Sequence, residues 1–343
     1  MRELDASNIV DYLRESAWLR PDQDAHAVEL AWGVSNIVLR INVAPGDDIV
    51  VKQSREKLRT KIDWFSRLDR VWREADVLRL LSKFEDELPN IAPRLLFEDR
   101  ENYVFAMSAI DPNHTVWKAD LLDGKFDIEL ADGLGRTLAV IHRNTCGSSD
   151  VARRFEDKEV FDQLRIDPFY RHIAMMHPDI SASVSRLIDE TLYTSSCLVL
   201  GDFSPKNILL TEQATVLVDF ETAHYGDPAF DLGFFLSHLC LKAVLHQRRC
   251  DEAIALPRTF WTRYLQEVAS VNQSDAFSLA NLERRTIANL AGCMLARIDG
   301  KSTVDYLPEQ SKQDTVRSFC KRLFHKPPKL FETVLDELNR QLQ

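Results

Sequence analysis

The chain has 343 residues, of which 45% are hydrophobic and 28% are charged, a composition typical of a globular protein of about one or two domains. This composition excludes a disordered, collagen-like or low-complexity chain. The 53 acidic and 43 basic residues give a formal net charge of −10, which opposes a general nucleic-acid-binding function.

The first third of the chain is rich in predicted strands. A helix is expected over residues 5–20, because apolar residues recur there at helical spacing. Val- and Ile-rich segments separated by turn residues predict strands at 26–32, 36–44, 48–53, 94–99 and 102–107. An amphipathic helix is predicted between the third and fourth of these strands, over residues 71–84.

The remainder of the chain is predicted to be mainly helical. A helix over residues 130–143 carries Leu130, Leu134, Leu138 and Ile141 on one face. A short cluster of strands follows at 198–219. Further helices are predicted at 231–249, 252–270, 280–297, 311–323 and 329–341. Strands followed by helices, without regular alternation, indicate an α+β fold rather than a doubly wound parallel sheet.

The sequence gives no sign of export or of a membrane span. The N-terminal residues lack the order of charged and apolar segments typical of a signal peptide. The best apolar stretch, residues 234–245, contains His238 and Lys242 and predicts a buried helix. The six cysteines are scattered without C-x-x-C spacing, so neither a zinc site nor a disulfide framework is expected. We therefore expect a cytoplasmic protein that binds neither membrane nor nucleic acid.

Several short motifs do not fit the sites that they resemble. Gly133-Leu-Gly135 lies inside a predicted helix, not between a strand and a helix as in a dinucleotide-binding loop. Gly300-Lys301-Ser302 lacks the leading glycine of a phosphate loop. Neither H-E-x-x-H nor G-x-S-x-G occurs in the chain.

Polar residues follow the short strands of the region 198–231. Asp202 and Asn207 are five residues apart on a loop between two apolar strands. Asp219 ends the next strand, and Asp227 and Asp231 precede a helix. Each motif alone is a common turn, but carboxylates at the ends of buried strands require cations or donors. Together they indicate a Mg²⁺ site whose coordination is completed by phosphate oxygens.

This region resembles the motifs of the aminoglycoside phosphotransferase and choline kinase family. The matching segments are Gly201-Asp202-x-x-x-x-Asn207, Asp219-Phe220 at the end of a strand, and Asp227-Pro-x-x-Asp231-Leu. This family is the small-molecule branch of the protein-kinase-like fold. The resemblance implies that Asp202 is the catalytic base, that Asn207 and Asp219 hold Mg²⁺, and that Asp231 supports the catalytic loop. It also implies a bilobal α+β fold, with a nucleotide-binding lobe at 1–107, a catalytic and acceptor-binding lobe at 108–343, and a hinge at about 105–112.

The same resemblance implies an ATP site in the first lobe. Lys52, at the end of the third strand, would orient the α- and β-phosphates, and Glu74 would fix Lys52. Glu74 shares a helix face with Leu78 and Leu81 and is therefore expected to point inward. Gly33 and Ser35 belong to the turn expected to cover the phosphates. Backbone groups of Met107 and Ala109 are expected to bind adenine.

The expected function is the transfer of the γ-phosphate of ATP to a hydroxyl of a small molecule such as an amino sugar, an amino alcohol or a sugar-like compound. Leu200 stands where the family has a histidine, which leaves a weak or inactive nucleotide-binding module as the alternative. A protein kinase is not favoured, since only eleven residues separate Asp219 from Asp231. The oligomeric state is not predicted.

The last part of this prediction is the charge of the acceptor. Residues 200–235 contain six acidic side chains and one lysine, a local net charge of −5, which favours cationic or neutral acceptors. An anionic acceptor would instead require arginines such as Arg165, Arg171 or Arg297 to line the pocket.

Overall fold

The computed structural model describes residues 1–30, 36–57, 65–269 and 278–343. The described residues form two compact units. Unit 1 contains Met1–Thr115 and Leu209–Thr222, and unit 2 contains Val116–Ile208 and Ala223–Gln343. The hinge expected at about residues 105–112 stays a prediction.

Unit 1 is built on a five-stranded antiparallel sheet with the strand order β1-β2-β3-β5-β4. The strands are β1 (Asp24–Glu29), β2 (Asn36–Ala44), β3 (Ile49–Ser54), β4 (Leu95–Asp99) and β5 (Val104–Ser108). All five were predicted from the sequence. In the central pairing Lys52 of β3 lies opposite Val38 of β2 and Phe105 of β5. The sheet register therefore fixes the position of Lys52 in the unit.

Two helices accompany this sheet, α1 (Ile9–Glu15) and α2 (Arg70–Leu81). Helix α1 is shorter than the predicted 5–20, because Ala17 adopts a left-handed backbone conformation with φ 59° and ends the helical path. Leu39 and Ile41 of β2 are almost fully buried in the hydrophobic core that α1 shares with the sheet.

Unit 2 is mainly helical, as predicted. Its helices are α3 (Trp117–Leu122), α4 (Ile128–Thr145), α5 (Ser149–Arg154), α6 (Glu159–Phe161), α7 (His172–Met176), α8 (Ser181–Tyr193), α9 (Pro228–Leu245), α10 (Cys250–Val268), α11 (Leu279–Asp299), α12 (Gln310–His325) and α13 (Phe331–Leu342). The five long helices expected after residue 230 are thus confirmed with shifts of a few residues at their ends.

Helix α9 lies at the centre of unit 2. It is long and apolar enough to cross a membrane by length and composition, but 94% of the segment is buried inside the protein, as in the core helix of a globular unit. It packs closely against α11 at Gly233, where a Cβ atom would lie 2.5 Å from Cβ of Asn289. A glycine is therefore required at this crossing.

Short strands and irregular turns connect the helices of unit 2. Strands β7 (Cys197–Val199) and β10 (His224–Gly226) pair antiparallel. Segment Asp162–Arg171 forms a wide, π-helical stretch that contains Pro168, an element that the sequence did not predict. The remaining strands of the described residues are β6 (Thr115–Val116), β8 (Ile208–Leu210) and β9 (Thr215–Leu217), of which β9 belongs to unit 1.

Candidate active site

The first group of predicted site residues lies around Lys52 in unit 1. The Nζ atom of Lys52 is 2.7 Å from Oε1 of Glu74 and 3.8 Å from Oδ1 of Asp219. Glu74 comes from α2 and is buried, whereas the side chain of Asp219 is 27% exposed. Strand β3, helix α2 and the segment after β9 thus bring together three residues that are separated widely in sequence.

The electrostatics of this group favour a charged lysine. Burial acts to lower the pKa of Lys52, but the carboxylates of Glu74 and Asp219 outweigh burial and raise it. Burial raises the pKa of Glu74, against the effect of Lys52. The second carboxylate oxygen of Glu74 has no hydrogen-bond partner within the described part of the chain. Glu74 therefore serves mainly to hold the Lys52 ammonium in place.

Asp219 has an unusual backbone conformation, with φ at 70° in the left-handed region. Aspartate tolerates this region better than most residues, although it costs about 1 kcal/mol or more relative to an ordinary conformation. The turn begins directly after Leu217 and Val218 and places the carboxylate beside the Lys52 ammonium. Such strain in a polar residue is frequent at functional sites.

Glu221, to which the sequence assigned no role, forms a buried ion pair. Its Oε2 accepts hydrogen bonds from Nε of Arg70 at 3.1 Å and from Nδ2 of Asn36 at 3.0 Å. Arg70 is fully buried and also donates to the backbone carbonyls of Arg55 and Arg67. Because Arg70 is the first residue of α2, this pair ties the helix that carries Glu74 to the segment that carries Asp219.

The second group of predicted residues lies in unit 2, around the loop 200–207. Oδ2 of Asp202 is 2.9 Å from Nη2 of Arg165 and 2.8 Å from Nζ of Lys206. Burial acts to raise the pKa of Asp202, but Arg165 and Lys206 outweigh burial and hold the pKa below its usual value. The buried carboxylate is therefore ionised at neutral pH and can accept a hydrogen bond from a hydroxyl group.

Asn207 is positioned by the same loop. Its Nδ2 donates to the backbone oxygen of Asp202 at 3.0 Å, and the residue is buried. This bond fixes the orientation of the amide, so that its Oδ1 is presented as an oxygen ligand. The amide oxygen of Asn207 and the carboxylate of Asp219 are both of the type that Mg²⁺ prefers.

Asn207 and Asp219 each offer an oxygen donor of the kind that a metal ion takes when it binds together with its substrate. Over residues 1–30, 36–57, 65–269 and 278–343, no group of three or more His, Cys, Asp or Glu side chains could hold a metal ion by itself. Asn207 and Asp219 belong to different units. The assignment of both residues to one Mg²⁺ ion therefore stays a prediction.

Asp231, in the first turn of α9, holds the backbone of the Asp202 loop. Its Oδ2 accepts from the amide of Leu200 at 2.6 Å, and its Oδ1 accepts from the amide of Gly201 at 2.8 Å. Nε2 of His142 lies 3.3 Å from Oδ2 of Asp231, and Nδ1 of His142 lies 2.8 Å from the hydroxyl of Tyr264. The sequence missed His142, because 89 residues separate it from Asp231 and no motif links the two.

The Leu200 side chain is buried in the core, with 2% of its surface exposed. The contact of the loop with Asp231 is made by the Leu200 amide, which any residue at this position can supply. The arrangement of the loop therefore does not depend on a histidine side chain at position 200.

The remaining predicted residues concern the nucleotide. Met107 lies in β5, opposite Val50 of β3, and is almost fully buried. The amide of Ala109 donates to the carbonyl of Asp48 at 3.1 Å. Gly33 and Ser35 lie outside the described residues.

Relatives of the chain are kinases. It is 25% identical over 305 residues to methylthioribose kinase of Pectobacterium carotovorum, covering 77% of this chain and 75% of that protein. It is 24% identical over 301 residues to methylthioribose kinase of Yersinia pestis, covering 76% of this chain and 73% of that protein.

Two solved structures share the fold. The amicoumacin kinase hAmiN, in complex with AMP-PNP, Ca²⁺ and Ami, superposes with a TM-score of 0.57 at 15% identity, covering 94% of this chain and 95% of that one. Choline kinase of Cryptosporidium parvum superposes with a TM-score of 0.54 at 15% identity, covering 98% and 99%. These similarities confirm the predicted kinase-like α+β fold.

The sequence model of the phosphotransferase enzyme family matches residues 26–265, more than two thirds of the chain. With the kinase relatives, this match confirms the predicted class of activity, an ATP- and Mg²⁺-dependent phosphotransferase for a small hydroxylated acceptor. The chain therefore belongs to the phosphotransferase enzyme family.

Proposed function

We propose that the chain transfers the γ-phosphoryl group of ATP to a hydroxyl of a sugar-like small molecule, with Asp202 as the catalytic base. The observation that carries this assignment is the buried carboxylate of Asp202, which Arg165 and Lys206 hold at 2.9 and 2.8 Å. A carboxylate fixed in this way accepts the hydrogen of the acceptor hydroxyl and directs its oxygen toward phosphorus.

The transfer forms one bond and breaks one. The acceptor oxygen bonds to the γ-phosphorus, and the bond from this phosphorus to the bridging oxygen breaks, so that ADP leaves. The hydroxyl proton passes to the carboxylate of Asp202 and from there to solvent. Because the pKa of Asp202 is low, the proton moves late in the reaction, and Asp202 contributes mainly by orienting the hydroxyl.

The Lys52 group serves the nucleotide. The ammonium of Lys52, held 2.7 Å from Glu74, binds the oxygens of the α- and β-phosphates. Asn207 and Asp219 would hold Mg²⁺, which neutralises phosphate charge when bound. Asp231 positions the Asp202 loop through the two backbone amides.

The remaining assignments complete the nucleotide site. Gly33 and Ser35 are proposed to contact the phosphates, and Met107 and Ala109 to bind adenine. The amide of Ala109 is engaged by Asp48, so the group that we assign to adenine at this residue is the carbonyl. We place the enzyme in the cytoplasm, since it uses ATP and carries six cysteines outside any disulfide.

The assignment is tested by a screen of hydroxylated metabolites with MgATP, in which ADP release is measured. Asp202→Asn should lower kcat by about 10²- to 10⁴-fold while nucleotide binding persists. Asp189→Asn, at an exposed position on α8, is the matched control and should turn over like the wild type. Unchanged turnover in Asp202→Asn would exclude Asp202 as the base. Binding of MgATP without transfer to any acceptor would favour the binding-module alternative suggested by Leu200.

A further inference from the structure

Unit 2 contains a concentration of positive charge that begins at Asp202 and extends to the surroundings of His238 on α9. We call it the cationic cluster and define it as Lys118, Arg165, Lys206, Lys242 and Arg297. Two of its members share the same pair of aromatic rings. The guanidinium carbon of Arg165 lies 6.0 and 5.5 Å from the ring centroids of Phe169 and Phe234, and that of Arg297 lies 4.9 and 5.7 Å from them.

The contacts around Arg165 connect this cluster to the reacting group. Arg165 forms an ion pair with Oδ2 of Asp202, and Lys206 forms an ion pair with the same oxygen. Arg165 and Phe169 both come from the π-helical segment Asp162–Arg171, and such segments occur frequently at functional sites. The cluster is therefore part of the catalytic surroundings in unit 2.

Further donors extend from this centre along α9. His238 packs edge-on against Phe234 at 5.0 Å and is 8% exposed. Its Nε2 is buried and has no hydrogen-bond partner in the parts of the chain that the structure describes. One turn later, Nζ of Lys242 lies 3.7 Å from the ring centroid of Tyr306. The buried hydroxyl of Tyr306 is likewise without a hydrogen-bond partner among the described residues.

The positive charges of Arg297 and Lys242 are not neutralised by ion pairs. Within the described ranges, no carboxylate oxygen lies within 4.0 Å of either side chain, although Arg297 donates to the carbonyl and hydroxyl oxygens of Ser302. Burial and the repulsion of neighbouring cations lower the pKa of both, and that of Lys242 reaches about 7. Buried cations without a paired carboxylate destabilise the fold, so their presence indicates a role other than stability.

Acidic residues of the same unit do not supply the missing countercharge. Asp227 is fully buried and pairs with Arg285 at 2.8 Å. Asp231 accepts from backbone amides. Asp202 pairs with Arg165 and Lys206, and Asp305 acts on Lys242 without forming an ion pair with it, so Arg297 and Lys242 have no paired carboxylate among the described residues. The structure thus favours the opposite acceptor charge from the one that the acidic count of residues 200–235 suggested.

We propose that the acceptor carries a carboxylate or phosphate group in addition to its reacting hydroxyl, and that Arg297, Lys242 and His238 bind this group. The proposal rests on the proposed function, because it assigns the acceptor of that reaction. Arg165 and Lys206 remain paired with Asp202, whereas Arg297 and Lys242 would contact the acidic group of the acceptor. The acceptor class is an acidic, hydroxylated small molecule such as a sugar acid or a sugar phosphate.

Binding without ATP gives the first test. Isothermal calorimetry is carried out with inorganic phosphate and with glucuronate as separate probes, and with glucose as the neutral probe. The wild type should bind one or both anions, and Lys242→Met should weaken this binding by about tenfold to a hundredfold. Lys329→Met, at an exposed position, is the matched control and should bind as the wild type does.

Thermal stability distinguishes this role from a structural one. Methionine retains the length and apolar stem of lysine, so Lys242→Met should fold and should melt at the same or a higher temperature than the wild type. The proposal is overturned if neither anion binds, or if the affinity is the same in Lys242→Met. A lower melting temperature with unchanged anion affinity would make Lys242 a structural residue.

Turnover separates this proposal from the proposed function. With MgATP, kcat/KM should be higher for glucuronate than for glucose or glucosamine, and Lys242→Met should remove the difference. Faster transfer to glucose or glucosamine, insensitive to Lys242→Met, would overturn the anionic acceptor while supporting phosphoryl transfer. Anion binding that requires Lys242, in a protein that transfers to no acceptor, would retain the anion site and reject the proposed function. If none of the three sugars is phosphorylated, the binding measurement decides.

Discussion

The buried pair of Arg70 and Glu221 should couple the stability of unit 1 to its nucleotide site. Their side chains are 0% and 9% exposed, and Nε lies 3.1 Å from Oε2. At an effective dielectric constant of about 20, two unit charges at this distance attract by about 5 kcal/mol, an upper limit before desolvation. Arg70→Met leaves the carboxylate buried without its cation and should lower the free energy of unfolding by about 3 kcal/mol or more.

Glu221→Gln should cost less than Arg70→Met. The amide still accepts from Arg70 and Asn36, but the bond from Asn36 becomes neutral and that from Arg70 loses its anionic partner, a total loss of about 2 kcal/mol. The double variant should recover part of the sum, with a coupling energy of about 1.5–3 kcal/mol. Because α2 also carries Glu74, the KM for ATP should rise in both single variants.

Urea unfolding followed by tryptophan fluorescence measures these energies, since four of the six tryptophans belong to the sequence of unit 1. The exposed pair of Arg2 and Glu15, at 2.7 Å in the same unit, provides the control cycle, with an expected coupling below about 1 kcal/mol. A coupling for Arg70 and Glu221 no larger than that of the control would refute the reasoning. An unchanged KM for ATP would show that the pair does not position the helix.

Three further predictions concern the metal, the loop and the pH dependence. Asp219→Ala should weaken the binding of MgATP far more than that of metal-free ATP in thermal-shift titrations, and an equal loss in both would make Asp219 a structural residue. Gly201→Ala and Gly147→Ala place alanine at φ 72° and 67°, and each should cost about 1–2 kcal/mol in urea unfolding, but only Gly201→Ala should lower kcat. The KM for glucuronate should rise as pH increases above about 7, because Lys242 loses its proton there; a flat profile from pH 6 to 9 would contradict this. The unfolded state binds more protons at Lys242 over the same window, so the stability contribution of this residue should increase with pH.

The elements of the fold could be predicted because their information is local. Alternating apolar residues identified the strands, and helical spacing placed Glu74 on the inward face of α2. The pairing of Lys52 with Glu74 followed from a family motif in which strand and helix are adjacent in sequence. The end of α1 could not be predicted, since a left-handed alanine leaves no mark in the pattern.

The pairing of charges that lie far apart in the chain could not be predicted from the sequence. Arg70 and Glu221 are 151 residues apart, and the cationic cluster collects residues from 118 to 297. A count of charges within residues 200–235 gave −5, but burial and pairing, not the count, determine which of those charges act on a ligand. The π-helical segment that supplies Arg165 contains Pro168, which reads in the sequence as the end of a helix.

Helix α9 also sets a length scale. Phe234, His238 and Lys242 follow one another at four-residue intervals along it, so about 12 Å of helix axis separates the first from the last. Arg165, which holds Asp202, lies over Phe234, and Lys242 lies at the far end of the row. An acceptor whose acidic group is one or two bonds from its hydroxyl is too short to meet side chains from both ends, whereas one with several carbons between the two groups can meet the long side chains that project from them. The distance between two positions on a buried helix would thus select acceptors by their size, independently of the chemical groups at either end.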